Sequence, residues 1–189
     1  AGTVVPGYGL PDSIRLGGGW VNTLGAVLML AVGLHIMQTE SVQRSGQELA
    51  LRQAIRRQQF VLHLQAQVDA SGRVVGAEAL LRWQHPQRGL VMPGEFIETA
   101  EQSGLILPIG YWVLQSACQQ LDAWRTDPVL SGLNLAVNTS ALQFRQPSLV
   151  DQVVQLVERY AIAAGRLELE LTESMLVHDL PDIVGKMNA

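Results

Sequence analysis

The sequence holds a single cysteine, Cys118, in 189 residues, so no disulfide can close within the chain and a reducing compartment is its natural setting. It has no basic run, and its formal net charge is -4, so nothing points to the wrapping of a nucleic-acid polymer. No internal repeat of about 20 to 50 residues is visible, which sets aside solenoids and propellers. No cluster of His and Cys offers a zinc-type ligand set. What the chain does have is a 48% hydrophobic composition, enough for one core-forming domain or slightly more. Cys118 falls in the apolar helical pattern of Tyr111, Val113, Leu114, Ala117 and Leu121, and so reads as a small buried hydrophobe.

Formal charge is also missing from 16 to 39, and 20–37 is mostly apolar. A stretch of about 18 residues is near the lower limit for crossing a bilayer. Asn22, Thr23 and His35 weaken that reading, and glycines loosen the helix. If the segment spans, Arg44, Arg52, Arg56 and Arg57 after it, against Arg15 before it, place the rest of the chain in the cytoplasm, anchored to the inner membrane. The alternatives are a buried helix or the remnant of an upstream domain. Residues 1 to about 19 are rich in Gly and Pro and read as irregular, and 40 to about 59 reads as a linker helix with a thin stripe of Leu49, Ala50, Ala54 and Ile55. Ala1 and Asn188-Ala189 both read as cuts in a longer chain. The expected division is 1–38 for the irregular segment and apolar helix, 39–58 for the linker, and 59–189 for the main domain.

From Phe60 onward strands alternate with helices. Strands are expected at 60–68, 74–83, 133–138 and 167–172, and helices at 93–102, 108–125, 147–163 and from 181 on. Helices of that length between strands imply an α/β fold with parallel pairing through right-handed crossovers. The first two strands, joined only by Asp69-Ala70-Ser71-Gly72, are expected to be antiparallel.

Successive side chains of a strand face opposite ways. Phe60, Leu62, Leu64, Ala66 and Val68 therefore lie opposite His63, Gln65 and Gln67, and Ala77, Ala79, Leu81 and Trp83 lie opposite Glu78, Leu80 and Arg82. In the later strands Leu133, Leu135 and Val137 oppose Asn134, Ala136 and Asn138, and Leu167, Leu169 and Leu171 oppose Glu168, Glu170 and Thr172. Parallel strands packed on both faces are normally apolar on both. A face carrying carboxylates, an arginine and amides costs several kcal/mol per unpaired buried charge, so these strands read as the lining of a site. The competing reading is an antiparallel sheet with one wetted face, which the long intervening helices disfavour. Glu78, Asn138 and Glu170 offer hard oxygen ligands suited to Mg²⁺ or Mn²⁺. Arg82, four residues from Glu78 on the same face, suits a phosphate. Acids, an amide and an arginine at the ends of barrel strands point to metal-dependent phosphate chemistry.

The segment Glu78-Ala79-Leu80-Leu81-Arg82-Trp83 resembles the signature of the EAL domains. A bare Glu-Ala-Leu is common by chance, but the ordered set is specific. It comprises Leu64-Gln65-Ala66-Gln67, Pro93-Gly94-Glu95-Phe96-Ile97, Ala100-Glu101-Gln102-Ser103-Gly104, Asn138-Thr139-Ser140 with Gln143-Phe144, and Glu170-Leu171-Thr172-Glu173-Ser174. The resemblance covers roughly 49 to 189 and implies a modified TIM (β/α)₈ barrel with one antiparallel strand, here an incomplete one. It implies metal-dependent hydrolysis of cyclic di-GMP to linear pGpG, with Mg²⁺ or Mn²⁺ held by Glu78, Asn138 and Glu170. It further implies that Glu173 steadies the loop over the metal, and that Gln65, Leu80, Arg82 and Pro93 contact the dinucleotide.

Two departures stand out. Leu64-Gln65-Ala66 replaces the family's Tyr-Gln-Pro, and the family's paired aspartates, catalytic lysine and late glutamate would all follow Ala189. A half barrel has open edges. Residues 1–189 alone are thus expected to be poorly stable, to self-associate and to show no turnover. The competing expectations are a module that binds cyclic di-GMP or a protein partner without turnover, and a remnant of a broken gene. Diguanylate cyclase domains often precede EAL domains, but no cyclase signature occurs before residue 39.

Overall fold

The computed structural model describes residues 17 to 171, together with Gly185. Helix α1 (Gly17–Arg56) runs unbroken through both the apolar stretch and the polar one that follows. Isolated glycines such as Gly25, Gly33 and Gly46 each cost about 1 kcal/mol relative to alanine, too little to stop a helix that holds no proline. Where α1 ends, the chain reverses at Gln58, whose φ of 54° is left-handed. Gln58 N–H donates to Ile55 O and Gln59 N–H to Ala54 O, a paired closure that satisfies the last carbonyls.

The chain divides into two compact units, 1–46 and 47–189. In the first, Val27, Leu28, Met29, Leu30 and Met37 are exposed. The stretch from Gly25 is apolar enough to cross a membrane by length and composition, with a mean hydropathy of 1.3. In the second, the end of α1 joins the core: Leu51 and Ala54 are fully buried, and Gln47 accepts a hydrogen bond from the Thr99 hydroxyl at 2.8 Å.

β1 (Phe60–Val68) and β2 (Val74–His85) form the expected antiparallel hairpin. Its turn is held by Asp69, whose carboxylate accepts from the Ser71 hydroxyl at 2.6 Å and from the Ser71 and Arg73 amides. Those bonds, the Ser71 hydroxyl foremost, hold the Asp69 carboxyl below its usual range. Gly72 completes the turn at a φ of 82°, which a side chain would strain. β2 runs on to His85 and turns into β3 (Gly89–Val91), a strand too short to leave a period in the sequence. β4 (Asn134–Thr139) pairs parallel with β2, and β5 (Leu167–Leu171) pairs parallel with β4. The sheet order is β1-β2-β4-β5, with β3 on β2.

Helices cover one face of this sheet. α2 (Ile97–Gln102) follows a single 3₁₀ turn at Pro93–Glu95. α3 (Ile106–Trp124) begins two residues before Pro108, because a first-turn residue needs no N–H. α4 (Ala141–Phe144) is one turn, and α5 (Leu149–Arg159) is shorter than its sequence pattern suggests. The helix expected from 181 lies outside the described residues. Ala77, Ala79, Trp83, Leu135 and Val137 meet Ile109, Val113, Leu114, Ala117 and Leu121 across this layer, all buried. Cys118 is fully buried among them, and desolvation pushes its thiol up to about 11. An aromatic cluster closes one end: Phe60 stands 6.3 Å from Trp83, 5.9 Å from Phe96 and 6.1 Å from Trp112 between ring centres.

Candidate functional site

Strand register sets the site. Gln65 pairs with Glu78 across β1 and β2, Glu78 lies opposite Ala136 on β4, and Ala136 lies opposite Glu168 on β5. One step further along, Asn138 lies opposite Glu170. Paired residues share a face, and so do residues two apart, so Gln65, Glu78, Asn138, Glu168 and Glu170 all project from the face away from the helices. Adjacent strands are about 4.8 Å apart, within reach of side chains this long.

Two of the residues meet directly. Asn138 Nδ2 donates to Glu78 Oε1 at 2.6 Å. Glu170 is the cross-strand neighbour of Asn138. Glu168 turns to a different partner, accepting from Asn134 Nδ2 at 2.7 Å, and so leaves the trio. Arg82 sits two residues beyond Leu80, half-buried, with Nη1 donating to Leu81 O at 2.8 Å. Leu80, Pro93 and Asn138 line one cavity of about 310 Å³ beside the middle of β2 and the end of β4. Gln65 is exposed beside Glu78, and does not line that cavity. Glu173 lies outside the described residues.

The expectation that these charges are buried needs correction. Glu78 and Glu170 are half-buried, and Asn138 and Gln65 are exposed, because no described element covers this face. Solvent therefore meets much of the charge that the desolvation argument assigned to a closed interior. What the structure brings together is Asn138 with Glu78, and Glu170 as the neighbour of Asn138 on β5, while Glu78, Arg82 and Glu170 do not line the cavity. Sequence reasoning also gave no role to Glu101, Thr139, Ser140 and Gln143, which line the same cavity. Their signal was present in the motifs Ala100-Glu101-Gln102 and Asn138-Thr139-Ser140.

The donor set fits a hard divalent cation. Among the described residues no group of three or more His, Cys, Asp or Glu gathers as a metal site. Oxygen donors of the kind that Glu78, Asn138 and Glu170 offer suit Mg²⁺ or Mn²⁺. Asn138 Nδ2, the donor end of the amide, faces Glu78 Oε1 at 2.6 Å, so ligation through the amide oxygen would need the amide to turn.

Comparison with known proteins follows the same residues. The family model for the EAL domain matches 48–184. The bifunctional diguanylate cyclase/cyclic di-GMP phosphodiesterase MucR of Pseudomonas aeruginosa is 49% identical over 130 residues, covering 68% of this chain and 19% of that protein. The cyclic di-GMP phosphodiesterase PdeR of Escherichia coli is 38% identical over 129 residues, again covering 68% of this chain and 19% of the relative. The chain thus spans roughly a fifth of the length of these relatives. Among solved structures, the c-di-GMP complex of the phosphodiesterase PaMucR matches with a TM-score of 0.73 and 44% identity, covering 76% of this chain and 58% of that one. The EAL domain of Xanthomonas citri FimX, at 22% identity and a TM-score of 0.70, shares the fold.

Proposed function

The chain belongs to the EAL domain family, and on that premise we propose that it is the metal- and substrate-binding part of a cyclic di-GMP phosphodiesterase. Its mixed sheet, antiparallel at β1-β2 and parallel thereafter, is part of the family's TIM-like barrel. The observation that carries the reading is the Asn138–Glu78 contact at 2.6 Å, with Glu170 on the next strand.

In this reading Glu78, Asn138 and Glu170 hold Mg²⁺ or Mn²⁺, and Glu78 is the acid closest to the chemistry. The cation, when bound, supplies Lewis-acid polarisation of the phosphate and a more acidic water. The chain's own residues hold the substrate. Arg82 presents a guanidinium to a phosphate, Leu80 and Pro93 give apolar contact on the cavity wall, and Gln65 offers an amide at the edge. Glu173 is assigned to the loop over the metal. One phosphodiester bond of cyclic di-GMP is hydrolysed, leaving linear pGpG. The functional part is 59–189, with 39–58 as the lead-in and the apolar stretch 20–37 of α1 as an inner-membrane anchor, the arginines that follow it staying in the cytoplasm.

Arg82→Ala tests the substrate side. A charge-assisted hydrogen bond contributes about 1.5–3 kcal/mol, so the Michaelis constant for cyclic di-GMP should rise roughly ten- to a hundredfold while kcat changes little. Steady-state kinetics on the full-length protein reads this directly, and an unchanged KM would remove Arg82 from the phosphate.

A second reading is a module that binds cyclic di-GMP, or a protein partner, without turnover. It is favoured by Leu64 and Ala66 beside the exposed Gln65, which change the surroundings of that amide. The exposed Leu64 and Val68 on the outer strand β1 make self-association the expected behaviour of residues 1–189 as a separate polypeptide.

A further inference from the structure

On the helix side of the sheet, a side chain at one glycine would displace a neighbouring amide. A Cβ built on Gly110 would lie 1.6 Å from Gln143 Nε2 and 2.1 Å from its Cδ. Gly110 is in the second turn of α3, and Gln143 is in α4 with only 7% of its surface exposed. A large amide is therefore seated on bare helix backbone, in a place where the surrounding core is apolar.

The other end of that amide closes the turn after β4. Gln143 Oε1 accepts from the Ser140 amide at 3.3 Å, and the Gln143 amide donates to Ser140 Oγ at 3.2 Å. This is a reciprocal cap with glutamine in the place often held by glutamate. Ser140 stands two residues beyond Asn138, at the point where β4 stops and the chain turns. The ladder to β5 pairs Asn138 with Glu170, while the Asn138 side chain is exposed. The capped turn adds a second restraint on the strand end just beyond it.

We propose that Gln143, seated on Gly110, is a positioning residue for Asn138: it clamps the β4 exit so that the Asn138 amide meets Glu78. The proposal rests on the metal-site reading above. Gln143 lines the cavity beside Asn138 but is no cation ligand in this scheme, and the role proposed for it runs through the backbone of 138–140. Outer groups that orient a metal ligand commonly change affinity ten- to a hundredfold when lost.

The test is Mn²⁺ binding to the full-length protein, followed by electron paramagnetic resonance of the free ion, alongside thermal melts. Gly110→Ala, which crowds the amide, and Gln143→Leu, which removes it, should each weaken Mn²⁺ binding by about tenfold or more. Gln143→Glu keeps an acceptor for the Ser140 amide and should restore most of the affinity. Leu156→Ala, a buried change in α5 away from the site, should lower the melting temperature and leave Mn²⁺ affinity of the folded protein unchanged. Equal affinity in wild type, Gly110→Ala and Gln143→Leu would overturn the positioning role while sparing the metal site. Parallel losses in Leu156→Ala would overturn it too, since the effect would then be general loosening. A folded wild type that binds no Mn²⁺ would sink the metal reading, and this inference with it.

Discussion

Glu78→Ala in the full-length protein should abolish cyclic di-GMP hydrolysis while leaving the fold nearly intact. Both halves of that outcome come from where the side chain sits. Glu78 is half-buried on the open face of β2, and its partner is the exposed Asn138. Substitutions at such positions usually shift stability by no more than about 0.5 kcal/mol. Chemistry is affected far more. A divalent ion contributes several kcal/mol of transition-state charge stabilisation, and about 1.4 kcal/mol is a factor of ten in rate. Removing one of two carboxylate ligands should therefore lower kcat by roughly a thousandfold or more. Turnover assays paired with circular dichroism separate the two effects, and retained activity would take Glu78 out of the metal shell.

Trp83→Ala should do the reverse and unfold the domain. Trp83 is 1% exposed and stands at the centre of the aromatic cluster, 5.8 Å from Phe96 edge to face and 4.9 Å from His85. Its indole N–H is satisfied by Gln59 Oε1 at 3.2 Å. Cutting a buried tryptophan back to alanine costs about 3–5 kcal/mol, because the cavity left behind cannot collapse fully. Typical domains have only about 5–15 kcal/mol in total, so the loss is a large share. Urea denaturation should show the midpoint falling steeply. Trp83→Phe keeps most of the buried area and forfeits the hydrogen bond, so it should fall between. A loss below about 1 kcal/mol for the alanine variant would mean that the cluster does not anchor the sheet.

Much of this was readable from residue patterns, and the exceptions have physical causes. The β1-β2 hairpin was legible because Asp69-Ala70-Ser71-Gly72 carries its own turn chemistry. The polar face was legible because strands have a period of two, and the register then brought Gln65, Glu78, Asn138 and Glu170 to one side. Short elements were not legible: β3 has three residues and α4 four, fewer than any period needs to show itself. The unbroken α1 was hidden by a change in composition near residue 39, which alters polarity but not helix propensity. Pairwise contacts such as Gly110 on Gln143 join residues far apart in sequence, and no local pattern announces them. The role given to Glu173 remains a proposal drawn from its motif.

The central claim is that Glu78, Asn138 and Glu170 grip one divalent ion, and anomalous diffraction from crystals of the full-length protein grown with Mn²⁺ tests it most directly. The account predicts a manganese peak coordinated by both carboxylates and by Asn138 Oδ1, with Asn138 Nδ2 turned away from Glu78. A peak elsewhere, with the Asn138–Glu78 hydrogen bond still in place, would contradict it.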